Sequence, residues 1–247
     1  MVKKITGVII QARTSSSRFR NKILNKIQNK TILEILLLRL KKSKKIDHFI
    51  VAVPFEDRDS MIVKISKKCG YNVILGSKNN LVARYYKAAK KYNIQNIIRI
   101  TSDCPLIDKR LIDLAIDKFK KKNLDFLSNC KPPTYPDGLD IEIFKFKLLK
   151  KIHNMKLNLI EKEHLTQKMY NLIGINFFNF KNRLNFSNIR ITLDYYKDYI
   201  VIKKILKHFD YNYYISSSNV IKFLNKNKNI LKINSKYIRN EKLNEKN

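Results

Sequence analysis

Short apolar runs alternate with amphipathic stretches through the first half of the chain. Ile5–Ile10, Phe49–Val53, Asn72–Leu75, Asn96–Thr101 and Asp125–Ser128 read as strands. Between them, Ile32–Lys42, Asp57–Cys69, Asn80–Tyr92 and Lys109–Lys121 carry helical spacing, clearest where Leu81, Tyr85, Ala89 and Tyr92 fall on one stripe. Asp57 and Asp108 suit helix N-caps, and Gly70 stands where a helix C-terminus needs it. This alternation predicts an α/β fold with a mostly parallel, Rossmann-like sheet and crossover helices. Beyond Asn129 the rhythm changes. A turn-rich loop, Lys131 to Gly138, leads into strand alternation over Leu139–Phe144, a polar helix over Ile160–Tyr170, an aromatic strand over Ile175–Phe180, a short strand over Arg190–Leu193 and a helix over Lys197–His208. Antiparallel additions at the sheet edge, covering a substrate site, are expected. Residues 1–210 are assigned to one domain. Residues 211–247 form a Lys- and Asn-rich extension with a weak helix signal at Asn219–Asn225, and the final dozen residues are expected to be disordered.

With 247 residues, the chain is long enough for one α/β domain with a substantial core. No segment approaches the ~18 uninterrupted apolar residues of a membrane span. Met1-Val-Lys-Lys leads directly into a core strand, so no secretory signal is expected. The three cysteines, Cys69, Cys104 and Cys130, are odd in number, far apart and make no CxxC pair, so neither a disulfide framework nor a zinc site is suggested and a reducing cytoplasm fits best. The formal charge of +32 invites a nucleic-acid partner. However, the excess is mostly lysine, spread along the chain among many Asn and Ile, without an RGG tract, zinc finger or aromatic RNP-like strand. General attraction to anions follows; a dedicated nucleic-acid function does not. The very apolar Ile32–Leu40 stretch hints at a homodimer.

The candidate chemistry lies at strand ends. The first strand empties into a loop with Arg13, Arg18, Arg20, Lys22 and four consecutive hydroxyls, Thr14 to Ser17. Ligands of open α/β sheets bind beyond the carboxyl ends of the strands, so a cationic loop there suits a polyanion such as a nucleoside triphosphate, with a basic surface turn as the alternative. A second apolar strand delivers Asp103 to the same edge, and Pro105 stops that strand. Ile191-Thr-Leu-Asp194 repeats the arrangement. Mg²⁺ takes one or two carboxylates with phosphate oxygens and water, which two strand-end aspartates can supply if the fold joins them; helix or turn caps are the alternative. Asp140 and Glu142, two apart, share one face of a strand, either in a pocket or on a solvated face. His164 is either a substrate contact or a surface helix residue. Asp57-Arg-Asp59 has the D-x-D form of metal-dependent glycosyltransferases, but it begins a helix and reads as capping. There is no Walker loop or GxGxxG.

Together these segments resemble the cytidylyltransferases of the spore-coat polysaccharide type, relatives of the acylneuraminate and Kdo cytidylyltransferases. The matching pieces span about residues 5–205: Ile10-Gln-Ala-Arg13 with Ser17-Arg18 and Lys22, Leu81-Val-Ala-Arg-Tyr-Tyr86, Ile100 to Asp108, Tyr135 to Glu142, Glu163-His-Leu-Thr166 and Thr192-Leu-Asp194. The resemblance implies a GT-A-like nucleotidyltransferase fold and transfer of CMP from CTP to a sugar acceptor with pyrophosphate release, for polysaccharide or glycoconjugate biosynthesis. It further implies that Gln11, Ala12, Arg13, Ser17, Arg18, Lys22, Arg84 and Asp103 bind the nucleotide, with Arg13, Lys22 and Asp103 catalytic. Asp103 and Asp194 would hold Mg²⁺; Asp140, Glu142 and His164 would face the acceptor. Phe19-Arg20-Asn21-Lys22 stands where the family usually has Leu-Pro-Gly-Lys, and asparagine at 21 tolerates the left-handed geometry such a turn needs. The nearest rival is a glycosyltransferase using a nucleotide-sugar donor; the cationic loop and the lack of a D-x-D at Asp103 speak against it.

Overall fold

The computed structural model describes residues 3–16, 18–57 and 60–239. Runs of Ile and Val without polar interruption form the central strands, because a strand covered on both faces needs apolar side chains at odd and even positions alike. In β1 (Thr6–Gln11), Val8 and Ile10 enter one core while Ile9 enters the other, and all three are fully buried. A two-residue-stranded hairpin follows, β2 (Lys26–Ile27) and β3 (Lys30–Thr31), then α1 (Ile32–Leu40), opened by a reciprocal Thr31–Glu34 capping box. Next come β4 (His48–Pro54), α2 (Met61–Lys68), β5 (Asn72–Gly76), α3 (Leu81–Lys91), β6 (Asn96–Thr101), α4 (Lys109–Lys121) and β7 (Phe126–Ser128). Up to this point the expected alternation holds to within a few residues. Asp108 caps α4 and Gly70 follows α2 at φ +72°, both as expected. Asp57 is different: Ser60 takes the N-cap position of α2, and the Asp57 carboxylate instead accepts from the backbone N–H and hydroxyl of Thr14 at 3.0 and 2.5 Å, bracing the loop after β1. Arg58 and Asp59 of the D-x-D motif lie outside the described residues.

The second half comprises β8 (Glu142–Lys145), α5 (Phe146–His153), α6 (Leu159–Glu163), α7 (Gln167–Tyr170), β9 (Phe177–Asn179), α8 (Tyr196–His208), α9 (Ser217–Lys226) and α10 (Lys228–Leu231). Among the described residues one seven-stranded sheet has the order β5-β4-β1-β6-β8-β7-β9. The strands are parallel except β8, which runs antiparallel to both neighbours. The antiparallel strand is therefore inserted between β6 and β7 rather than added at the edge. The polar helix expected over Ile160–Tyr170 is broken at His164, and α5 was not legible in the pattern. Arg190–Leu193 joins no ladder; it makes a single bridge from Arg190 to Asp137.

Six apolar side chains of α1 are fully buried inside the chain, against strands, α2 and α4, so its apolar character needs no second subunit. The C-terminal extension packs on the same core: Val220 and Leu224 of α9 are fully buried, and Asn234 and Arg239 reach back to Arg190, Asp198 and Asp140. Residues 240–247 are outside the described residues. No helix among the described residues is long and apolar enough to cross a membrane.

Candidate active site

The site forms at the carboxyl ends of β1 and β6, where parallel strands stop and their loops diverge. After β1 the chain passes Ala12, which is buried and held by Ala52 O at 3.2 Å, and emerges at the exposed Arg13. Asn21 adopts φ +53°, ψ +27°, the left-handed turn its side chain tolerates, and this turn aims Lys22 inward. Lys22 Nζ lies 3.0 Å from Asp103 Oδ2 and 2.9 Å from Asp194 Oδ1, so the fold gathers both aspartates around one ammonium, a meeting the sequence left open. Arg18 reaches Asp194 Oδ1 at 2.7 Å with its guanidinium 5.1 Å over the ring of Tyr195, and Arg13 faces Glu163 at 3.6 Å. Ser17 lies outside the described residues. Burial alone would lower the Lys22 ammonium, but Asp103 and Asp194 more than offset it and hold it above the usual lysine range. Burial would likewise raise Asp194, yet Lys22 and Arg18 keep it well below the usual carboxylate range.

Backbone hydrogen bonds explain how residues 91 apart in sequence come together. The segment 189–194 threads between the loops carrying Asp103 and Asp137: Ile191 N donates to Asp137 O at 2.8 Å, Asp137 N to Ile189 O at 2.9 Å, and Leu193 N to Asp103 O at 2.8 Å. Gly138 makes this approach possible. Its φ is +105°, and a Cβ there would sit 2.5 Å from Thr192 N and 2.7 Å from Ile191 C. Behind Asp194, buried Arg190 acts as a hub. It donates to both oxygens of Asp198 at 3.0 Å, to Asp137 at 2.7 Å and to Asp194 at 3.3 Å. Asp198, fully buried in the first turn of α8, also accepts the backbone N–H groups of Asp194 and Tyr195, each at 2.9 Å.

The acceptor candidates separate. Asp140 precedes β8 and pairs with Arg239 from the C-terminal segment, whose NH1 also donates to Tyr135 O at 3.3 Å. Burial, with Glu142 and Asp103 nearby, raises Asp140; burial and Asp140 push Asp137 up to about 7 despite Arg239 and Arg190. Glu142 does not share a solvated strand face with it. Its carboxylate is 3% exposed and accepts from Arg99, from Thr166 Oγ1 at 3.0 Å and from Tyr170 OH at 2.9 Å. A carboxylate so occupied braces Arg99, whose Nε in turn donates to Gln11 Oε1 at 3.2 Å. His164 is half-buried at the break between α6 and α7, two residues from Thr166. Arg84 is buried on α3; its Nε and NH1 have no hydrogen-bond partner among the described residues, and its stem lies where a Cβ on Gly76 would come within 2.6 Å.

Arg99, Arg190, Asp198, Asn234 and Arg239 were not singled out from the sequence. A charge inside the apolar run Ile97-Ile98-Arg99-Ile100 is a legible signal, as is Arg190 alternating with Thr192 and Asp194. Arg239 carries no such mark.

Asp103 and Asp194 have the donor chemistry a hard cation takes. Their oxygens are hard donors, both already in contact with one cationic centre, the Lys22 ammonium. Among the described residues no group of three or more His, Cys, Asp or Glu is gathered as a metal cage. A pair of carboxylates that leaves the rest of the shell to phosphate and water suits Mg²⁺.

This fold and edge define a nucleotide-handling α/β enzyme, and comparison with known proteins narrows it. Residues 7–212 match the cytidylyltransferase family, and the chain belongs to that family. An uncharacterized protein of Methanocaldococcus jannaschii, MJ1063, is 39% identical over 94% of this chain and 95% of its own. The spore coat polysaccharide biosynthesis protein SpsF of Bacillus subtilis is 28% identical over 89% and 93%. Among solved structures, a cytidylyltransferase from Leptospira borgpetersenii superposes with a TM-score of 0.89 at 35% identity, covering 96% of this chain and 99% of that one. CMP:2-keto-3-deoxy-manno-octonic acid synthetase, solved with CTP, shares the fold at a TM-score of 0.64 and 15% identity over 83% and 99%. The fold is that of the nucleotidyltransferases.

Proposed function

We propose that the protein catalyses Mg²⁺-dependent transfer of a cytidylyl group from CTP to a sugar acceptor, releasing pyrophosphate, in the biosynthesis of a surface polysaccharide or glycoconjugate. The observation that carries this reading is the contact of Lys22 with both Asp103 and Asp194 at the end of β1, inside a loop that also supplies Arg13 and Arg18. An acceptor hydroxyl attacks the α-phosphorus, a new O–P bond forms, the bond from the α-phosphorus to the α–β bridging oxygen breaks with its electron pair leaving on pyrophosphate, and the hydroxyl proton passes to water. In this scheme Arg13, Arg18 and Lys22 bind the triphosphate and neutralise charge that builds on the departing pyrophosphate, so their contribution is positioning and electrostatic. Asp103 and Asp194 would hold Mg²⁺, which supplies Lewis-acid neutralisation of phosphate oxygens when bound. Arg84, with two buried nitrogens lacking partners, offers donors to the nucleotide. Asp140 and His164 line the acceptor side, and Glu142 serves it indirectly by fixing Arg99 and Gln11. The SpsF relative, by its name, supports the polysaccharide role.

A screen of the four nucleoside triphosphates with Mg²⁺ and a panel of sugar and sugar-acid acceptors, read by pyrophosphate release, tests the proposal. CTP-selective, acceptor-dependent release is expected. Release of a nucleoside diphosphate from a nucleotide-sugar donor, with none of pyrophosphate from CTP, would replace it with a glycosyltransferase reading.

A further inference from the structure

We propose that Lys22 is an exchangeable counter-ion which reserves the Asp103–Asp194 pair for metal arriving with nucleotide, so that the species this site takes up is the metal–CTP complex rather than free metal followed by CTP. The inference rests on the nucleotide reading above. Its geometric basis is that one ammonium contacts both carboxylates, at 3.0 and 2.9 Å, from a side chain only 14% exposed. Arg18 occupies the same Asp194 oxygen at 2.7 Å, and Arg190 lies 3.3 Å from the other. Arg190 is held by both oxygens of Asp198 at 3.0 Å, which leaves Lys22 and Arg18 as the cations directed at the pair.

Two consequences follow from charge alone. A divalent cation approaching without nucleotide meets carboxylates already neutralised, and it must expel a buried ammonium that gains no new partner; desolvating a charge without compensation is costly. A triphosphate supplies that partner. Its oxygens draw Lys22 and Arg18 from the carboxylates, and the freed oxygens then take the metal. The Asn21 turn makes this exchange local, since Lys22 follows a left-handed residue in a three-residue 3-10 turn and its stem need only rotate between carboxylate and phosphate. Coupling of this kind is reciprocal, so metal and nucleotide each raise affinity for the other.

Removing the ammonium should therefore move two affinities in opposite directions. For Lys22→Met, Mn²⁺ binding without nucleotide, followed by electron paramagnetic resonance, is expected to tighten at least about tenfold, equivalent to about 1.4 kcal/mol. Metal-free CTP binding by calorimetry should weaken by a similar factor. A residue that only binds phosphate would weaken CTP and leave Mn²⁺ unchanged; a merely structural residue would weaken both. Either pattern overturns the proposal. The Mn²⁺ gain must vanish in Lys22→Met combined with Asp103→Asn, and persistence there overturns it too. Lys22→Gln provides a second variant with the same expected signs. Should neither variant fold, the wild-type protein decides by its melting temperature, because a ligand stabilises only the state that binds it. Little shift with Mg²⁺ alone and a clear shift with Mg²⁺ and CTP together is expected; a clear shift with Mg²⁺ alone that equals the combined one overturns the inference. Absence of any CTP effect, with or without metal, sinks the nucleotide reading instead, while the Mn²⁺-only comparison still judges Lys22.

Discussion

Replacing Gly138 by alanine tests how the two distant aspartates are brought together. At φ +105° an alanine is strained, at about 1–3 kcal/mol. Its Cβ would also stand 2.5 Å from Thr192 N and 2.7 Å from Ile191 C, and these are backbone atoms that cannot rotate aside. Relief requires moving segment 189–194, which is pinned by the paired hydrogen bonds between Asp137 and residues 189 and 191 and by Leu193 N to Asp103 O. Overpacking of this kind adds about 1–3 kcal/mol, so a total near 3 kcal/mol is a conservative expectation. For a chain of this length each kcal/mol shifts the melting temperature by about 2–4 °C, which gives a drop of roughly 6–12 °C. Because the displaced segment carries Asp194, pyrophosphate release should fall with it even well below the melting point. Calorimetry and the nucleotide assay on Gly138→Ala measure both. A melting temperature within about 2 °C of wild type with full activity would show that segment 189–194 is not held as described.

Other outcomes follow from the same contacts. Asp103→Asn should abolish metal-dependent pyrophosphate release while circular dichroism and melting stay close to native; retained activity would remove Asp103 from the metal site. Glu142→Ala leaves Arg99 without its carboxylate in a buried setting, a loss of about 3–5 kcal/mol that denaturant unfolding would register, and a change under about 1 kcal/mol would refute the bracing role. Asp194 has a folded pKa below its unfolded value, so its contribution to stability is present above about pH 4 and is lost as pH falls through the folded value. The acid limb of the melting curve should therefore flatten in Asp194→Asn, and an unchanged slope would contradict the pairing with Lys22 and Arg18. Truncation after Lys232 removes Asn234, Tyr237 and Arg239, and with them the hydrogen bond to Asp198, the ring stacked 3.8 Å from Tyr195 and the partner of Asp140. Lower melting temperature and reduced turnover are expected; an indifferent truncation would make the segment a passive tail.

Local pattern determined the first half of this protein. Strands such as Val8–Ile10, helices with a single apolar stripe, the Asp108 cap, Gly70 and the left-handed Asn21 turn all rest on neighbours in sequence, where periodicity and backbone preference act directly. Strand-end placement of Arg13, Lys22 and Asp103 was legible for the same reason, since the end of an apolar run marks the sheet edge. Tertiary structure alone decided the rest. Glu142 alternated with apolar residues as a solvated face would, yet Arg99 and Tyr170, 43 and 28 residues away, turned that face into a buried network. Asp57 resembled a cap until Thr14 claimed it. The Lys- and Asn-rich extension carried only a weak helix signal, yet Asn234 and Arg239 meet the carboxylates of Asp198 and Asp140, partners that no local pattern announces. A charge buried by one segment must be met by another, and which segment meets it depends on chain paths that only the folded sheet fixes.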